Sequence, residues 1–175
     1  VPADVNEVGR LAIDLSESPL AWFTGYADNA EKTAEKFVAD GRWYITGDVA
    51  EMDEDGFVHF SSRDDDVIIM AGYRIGPFEI ESTLSKHPAV VESAAVARPD
   101  EVRGEVLEAF VVLSNDYPAS DDLAKELQDF VKKSFAAHAY PRRIHFTDSL
   151  PKTPSGKIQR FLLRKQLADE TASAN

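Results

Sequence analysis

Apolar residues recur at helical spacing between residues 120 and 135. Leu123, Leu127, Phe130, Val131 and Phe135 fall on one stripe. Ser120 stands before them as an N-cap, and Asp121 and Asp122 favour the positive helix start. Elsewhere the pattern is shorter. Residues 9–13 predict a strand. Residues 29–38 predict a helix capped by Asn29. Residues 43–46 predict a strand that breaks at Gly47-Asp48. Two apolar runs, 49–52 and 57–60, flank Asp53-Glu54-Asp55-Gly56 and predict a hairpin with Val49 near Phe57. Residues 61–66 end in three successive acids and read as an exposed linker. A strand over 67–70 follows, then a turn with two glycines over 71–76. A helix over 77–86 has Pro77 at its first position and Phe78, Ile80 and Leu84 as contacts. Residues 92–97, 106–113 and 144–146 predict strands, and 161–167 a final helix.

This order implies a small sheet with helices packed on it, an α+β fold. We expect two parts, a β-rich segment over 1–62 and a compact domain over 63–175, with a flexible tail over 169–175. No apolar run approaches the roughly 20 residues that span a bilayer. No basic and apolar leader opens the chain, so a cytoplasmic location is expected.

Charge changes the picture more than composition does. At 43% hydrophobic and 29% charged, the chain is ordinary for a globular protein. Its net charge of -12 disfavours a phosphate backbone as partner, so no nucleic acid is expected. The acidity is uneven. Residues 1–62 hold 13 acids against 4 bases, whereas residues 142–165 hold seven bases against Asp148 alone. That reversal suits a small anion, or is a solvated basic face. With no cysteine and four scattered histidines, disulfides, thiolate sites and a zinc centre are not expected.

Three segments carry candidate chemistry. Pro151-Lys152-Thr153-Pro154-Ser155-Gly156-Lys157 places a lysine on a flexible turn, where its ammonium can enter a cleft and meet phosphate or carboxylate oxygens. It lacks the P-loop spacing, and it could equally be a surface loop. Tyr44-Ile45-Thr46-Gly47-Asp48 sets an acid after a glycine, placed to accept ribose hydroxyls or to cap its own turn. Arg63, 15 residues after Asp48 at the far end of the hairpin, could meet it as a ligand-binding pair or a simple salt bridge.

Together, Tyr44-x-Thr46-Gly47-Asp48, Arg63-x-Asp65-Asp66 leading to Gly72-Tyr73-Arg74-Ile75-Gly76-Pro77-x-Glu79-Ile80-Glu81, and Pro151 to Lys157 resemble three motifs of the adenylate-forming superfamily. His87-Pro88-Ala89-Val90-Val91-Glu92 and Pro99-Asp100-x-x-Arg103-Gly104-Glu105 resemble its acetyl- and medium-chain acyl-CoA synthetase branch most. The resemblance implies that a carboxylic acid and ATP give acyl-AMP and pyrophosphate, and that coenzyme A then releases AMP. It implies Lys157 as the catalytic cation of the first step, Asp48 and Arg63 as the ATP/AMP-binding residues, and Asp65 as the hinge. It implies Gly72, Arg74 and Lys132 at coenzyme A. Magnesium would be bound mainly through ATP and the larger amino-terminal domain, which is the expected partner and is absent here.

Two positions depart from the family pattern. Ser62 replaces a usual glycine before Arg63, and Asp64 makes the hinge unusually acidic. No phosphate loop or acyl pocket is found, so the chain alone is expected to be inactive. Two other expectations remain: the lid of an adenylation domain that loads a carrier protein, and a non-catalytic interaction module.

Overall fold

The structure, a computed structural model, describes residues 3–173. The chain divides into two compact units, 1–65 and 66–175. The sequence predicts this boundary after residue 62. Strand pairing instead carries through Arg63, which lies opposite Asp48.

The first unit is a sheet of four antiparallel strands. It contains β1 (Gly9–Asp14), α1 (Ala30–Ala34), β2 (Phe37–Val38), β3 (Trp43–Met52) and β4 (Val58–Arg63). The long β3 pairs with each of the other three. Asn29 caps α1 by accepting the Lys32 N–H at 2.9 Å. The helix is shorter than the expected 29–38, because Phe37 and Val38 pair with Tyr44 and Trp43. Phe23, Phe37 and Tyr44 then cluster, with ring centroids 5.1 to 6.1 Å apart.

Three further expectations fail here. β3 does not break at Gly47-Asp48; a positive φ of 88° at Gly47 lets it continue to Met52. Val49 does not face Phe57; it faces Ser62, and Met52 faces Val58 near the turn. Ser61 and Ser62 belong to β4, with Ser62 buried, so they are not an exposed linker.

The second unit contains β5 (Ile68–Met70), β6 (Tyr73–Ile75), α2 (Pro77–Leu84), β7 (Val90–Asp100), β8 (Gly104–Leu113), α3 (Asp121–Ser134), β9 (Arg143–Phe146) and α4 (Arg160–Ser173). β8 is the centre of its five-stranded sheet. β7 runs antiparallel along its length, β5 meets it at Gly104, and β9 joins it in parallel over Glu108 to Val111. The period of two sends alternate residues to opposite faces. Leu107, Ala109 and Val111 join Ile80, Leu84, Leu123, Leu127 and Val131 in one core. Phe110 joins Ala94, Val96, Leu150, Leu163 and Leu167 in the other. Helices α2 and α3 therefore cover one face, and α4 covers the other.

β6 replaces part of the expected turn over 71–76, pairing Tyr73, Arg74 and Ile75 with β5. Phe78 lies on the solvent side of α2 and is exposed, unlike Ile80 and Leu84. The final helix outruns its expected end, so residues 169–173 are helical rather than a flexible tail. Residues 174 and 175 lie outside the described residues.

Candidate functional site

In the first unit, strand register brings Asp48 and Arg63 face to face. Arg63 Nη1 donates to Asp48 Oδ1 at 2.9 Å and to the Thr46 carbonyl at 3.3 Å, while Nε reaches Asp65 at 3.3 Å. Thr46 is fixed in turn. Its hydroxyl donates to the Leu11 carbonyl and accepts the Asp48 N–H. Burial works against the guanidinium's charge, but its Asp48 hydrogen bond and the nearby Asp65 outweigh this and hold its pKa above its ordinary value.

Gly47 lies directly beneath these groups. A Cβ built there would sit 2.9 Å from Arg63 Nη2 and 3.1 Å from Lys36 Nζ. Two cations thus converge over one glycine next to a half-exposed carboxylate. Sequence reasoning missed Lys36, because it belongs to another element and shares no motif with Asp48.

In the second unit, Lys157 rides on a tight turn. The Thr153 N–H donates to the Lys157 carbonyl at 2.8 Å, and the Lys157 N–H donates to Thr153 Oγ1 at 3.1 Å. The Gln159 N–H closes the base on the Pro151 carbonyl at 2.9 Å. Gly156 takes a φ of 84°, which a side chain would strain. The Lys157 side chain is exposed and forms no ion pair among the described residues. The turn holds the backbone and leaves the ammonium free to reach.

Gly72 lies between β5 and β6 at a φ of 86°, with open space where a Cβ would project. Its neighbour Tyr73 stacks on His138 at 4.1 Å between centroids. Two residues on, the Tyr140 ring carries Lys132 Nζ at 5.3 Å and Arg142 at 4.1 Å. Arg74 is exposed on β6. The Tyr73–His138 contact brings the β5–β6 turn close to the end of α3 and the segment after it, where Lys132 and Tyr140 lie, whereas Arg74, the next residue along β6, projects to the opposite face of the strand.

A further cluster escaped the sequence. Arg160 Nη2 donates to both oxygens of Glu81 at 2.8 Å, and its Nη1 reaches Asp66 at 3.3 Å. Arg164 reaches the other Asp66 oxygen at 2.8 Å, and Glu81 also accepts the Ala95 N–H at 2.8 Å. The arginine–carboxylate pairs are 79 to 98 residues apart in sequence. The only signal was a pair of acids in a motif and a basic run far downstream.

One unit thus carries a carboxylate–guanidinium pair, and the other a turn-mounted lysine and an aromatic, basic cluster. Residues 79–157 match the AMP-binding enzyme C-terminal domain. It is 52% identical over 92% of its length to mouse "Acyl-coenzyme A synthetase ACSM3, mitochondrial", covering 28% of that protein. The Brucella canis acyl-CoA synthetase crystal structure shares 51% identity over 97% of this chain and 30% of that one, with a TM-score of 0.62. ATP-bound MatB from Rhodopseudomonas palustris shares 30% identity over 94% and 31%, with a TM-score of 0.77. The chain thus spans under a third of the length of the relatives it matches.

Proposed function

We propose that the chain is the carboxy-terminal part of an AMP-forming acyl-CoA synthetase and supplies the lysine for acyl-adenylate formation. The observation that carries this is Lys157: an ammonium with no ion pair among the described residues, on a backbone-locked turn within the family's matched segment. Such a cation offsets charge where a carboxylate oxygen meets the α-phosphate of ATP. Asp48 would accept the ribose hydroxyls, with Arg63 fixing its carboxylate. Asp65, beside the boundary between units, would serve as the hinge. Gly72, Arg74 and Lys132 would then face coenzyme A in the second step, attack of the thiol on the acyl carbon with release of AMP.

Two observations support a larger partner domain. Leu20, Trp22, Phe57 and Phe60 of the first unit are 63% to 88% exposed, an unusual set of large apolar groups for solvent. The relatives extend far beyond the part this chain matches, which leaves ample length for the domain that would cover them. Magnesium would arrive bound to ATP; among the described residues there is no group of three or more His, Asp or Glu side chains that could hold a metal ion. No helix among them is long and apolar enough to cross a membrane. The acyl-CoA synthetase names of the relatives favour coenzyme A over a carrier protein as acceptor.

The test uses the full-length protein carrying this chain. ATP, a carboxylic acid and coenzyme A should give acyl-CoA, AMP and pyrophosphate. Lys157→Ala should slow acyl-adenylate formation by about 100-fold or more, while thioester formation from supplied acyl-AMP persists. Equal loss of both half-reactions would remove the assigned role.

A further inference from the structure

The turn that carries Lys157 has two legs, and they are anchored unequally. On the leading leg, Lys152 pairs with Glu92 at 2.7 Å, but both side chains are substantially exposed. Such a surface pair contributes little. On the trailing leg, three residues after Lys157, Arg160 is 19% exposed and grips Glu81, itself 14% exposed. Its contact is forked, with two 2.8 Å bonds from Nη2 and a third from Nε at 3.2 Å. A planar guanidinium on a carboxylate fixes direction as well as distance, which an ammonium cannot do.

The grip reaches three elements at once. Glu81 belongs to α2 and takes the Ala95 N–H of β7. Asp66, the first residue of the second unit, takes both Arg160 and Arg164. Between the anchor and the lysine, the turn is stiffened by the Thr153–Lys157 and Pro151–Gln159 backbone bonds. Motion of Arg160 is therefore transmitted to Lys157 and is not absorbed by a slack loop.

We propose that Arg160 is a positioning residue for Lys157, held to that task by Glu81 and Asp66. The inference rests on the adenylation role of Lys157 given above. Arg160 touches no substrate in this scheme; it aims the cation that does. A misplacement of about 1 Å at a reacting group can cost on the order of 100-fold in rate.

The experiment is a double-mutant cycle in the full-length protein, reading each half-reaction separately. Arg160→Gln should slow acyl-adenylate formation by about 30- to 100-fold, mainly in kcat, and change thioester formation from supplied acyl-AMP by less than about 3-fold. In a Lys157→Ala background it should cost adenylation no more than about 2-fold further, because the group it aims is gone. Arg160→Lys should not restore the rate, as it lacks the fork. If Arg160→Gln does not fold, Glu81→Gln, which keeps the side-chain shape, must show the same pattern. A fall in both half-reactions together, or losses that multiply in the Lys157→Ala background, would make Arg160 a structural residue and overturn the proposal. An unaffected Arg160→Gln enzyme would overturn it too, leaving the role of Lys157 intact. If Lys157→Ala itself keeps adenylation, the role of Lys157 fails and this inference with it.

Discussion

His145 Nε2 stands 2.7 Å from Oε2 of Glu108, a carboxylate that is 1% exposed on the central strand of the second sheet. The imidazole also stacks on Phe110, the residue two along the same face, at 4.6 Å. The second oxygen of Glu108 lies 2.8 Å from Arg98 Nε, close enough to pair but with the N–H not directed at it. A carboxylate placed this deep depends on the partners around it.

Glu108→Ala should therefore destabilise the protein by roughly 3 kcal/mol, the cost of breaking a buried pair from one side. Arg98→Ala should cost less, since Arg98 is 36% exposed and His145 remains. Denaturant midpoints of the two variants check the order.

Gly72 separates a folding effect from a ligand effect. No atom lies within 4 Å of a Cβ built there, so a larger residue meets only the strain of its left-handed φ. Gly72→Leu should cost on the order of 1 kcal/mol in stability. In the full-length protein it should leave adenylation near normal and impair thioester formation at least about 10-fold, about 1.4 kcal/mol at the barrier. An unchanged second half-reaction would place coenzyme A elsewhere.

Asp48→Asn removes the charge that orients Arg63 while keeping the side-chain shape. Loss of this partly exposed ion pair should change stability by no more than about 1 kcal/mol. With Asp48 in its proposed role as ribose acceptor, ATP affinity in the full-length protein should fall about 10-fold or more. Isothermal titration with ATP reads the change directly.

Asp14 offers a pH test far from the site. Hydrogen bonds from Arg42 first and Ser16 second lower its pKa from the ordinary 3.8 to about 2. The sign follows from linkage: a lowered folded pKa adds stability above pH 3.8 that disappears as pH falls towards 2. Arg42→Ala should return the Asp14 titration towards its ordinary value, as followed by carboxyl NMR.

What the sequence made legible was local. α3 was readable from its stripe and its Ser120 cap, which accepts the Leu123 N–H. The hairpin spacing allowed Asp48 to meet Arg63. What it hid depends on distant partners. Phe37 and Val38 look helical until Tyr44 and Trp43 pair with them. β6 is three residues beside two glycines, so its strand character comes from β5 rather than from itself. Arg160 meets Glu81 across 79 residues, and no period along the chain marks such a pair. The same holds for Lys36, brought to Gly47 only by folding.

The division after residue 65 has an optical consequence. Both tryptophans, Trp22 and Trp43, belong to the first unit, and the second has none. Indole emission therefore reports melting of residues 1–65 alone, whereas far-ultraviolet ellipticity is dominated by α3 and α4 of the second unit. The two signals recorded in one heating scan would reveal whether the halves unfold as a single transition or in succession.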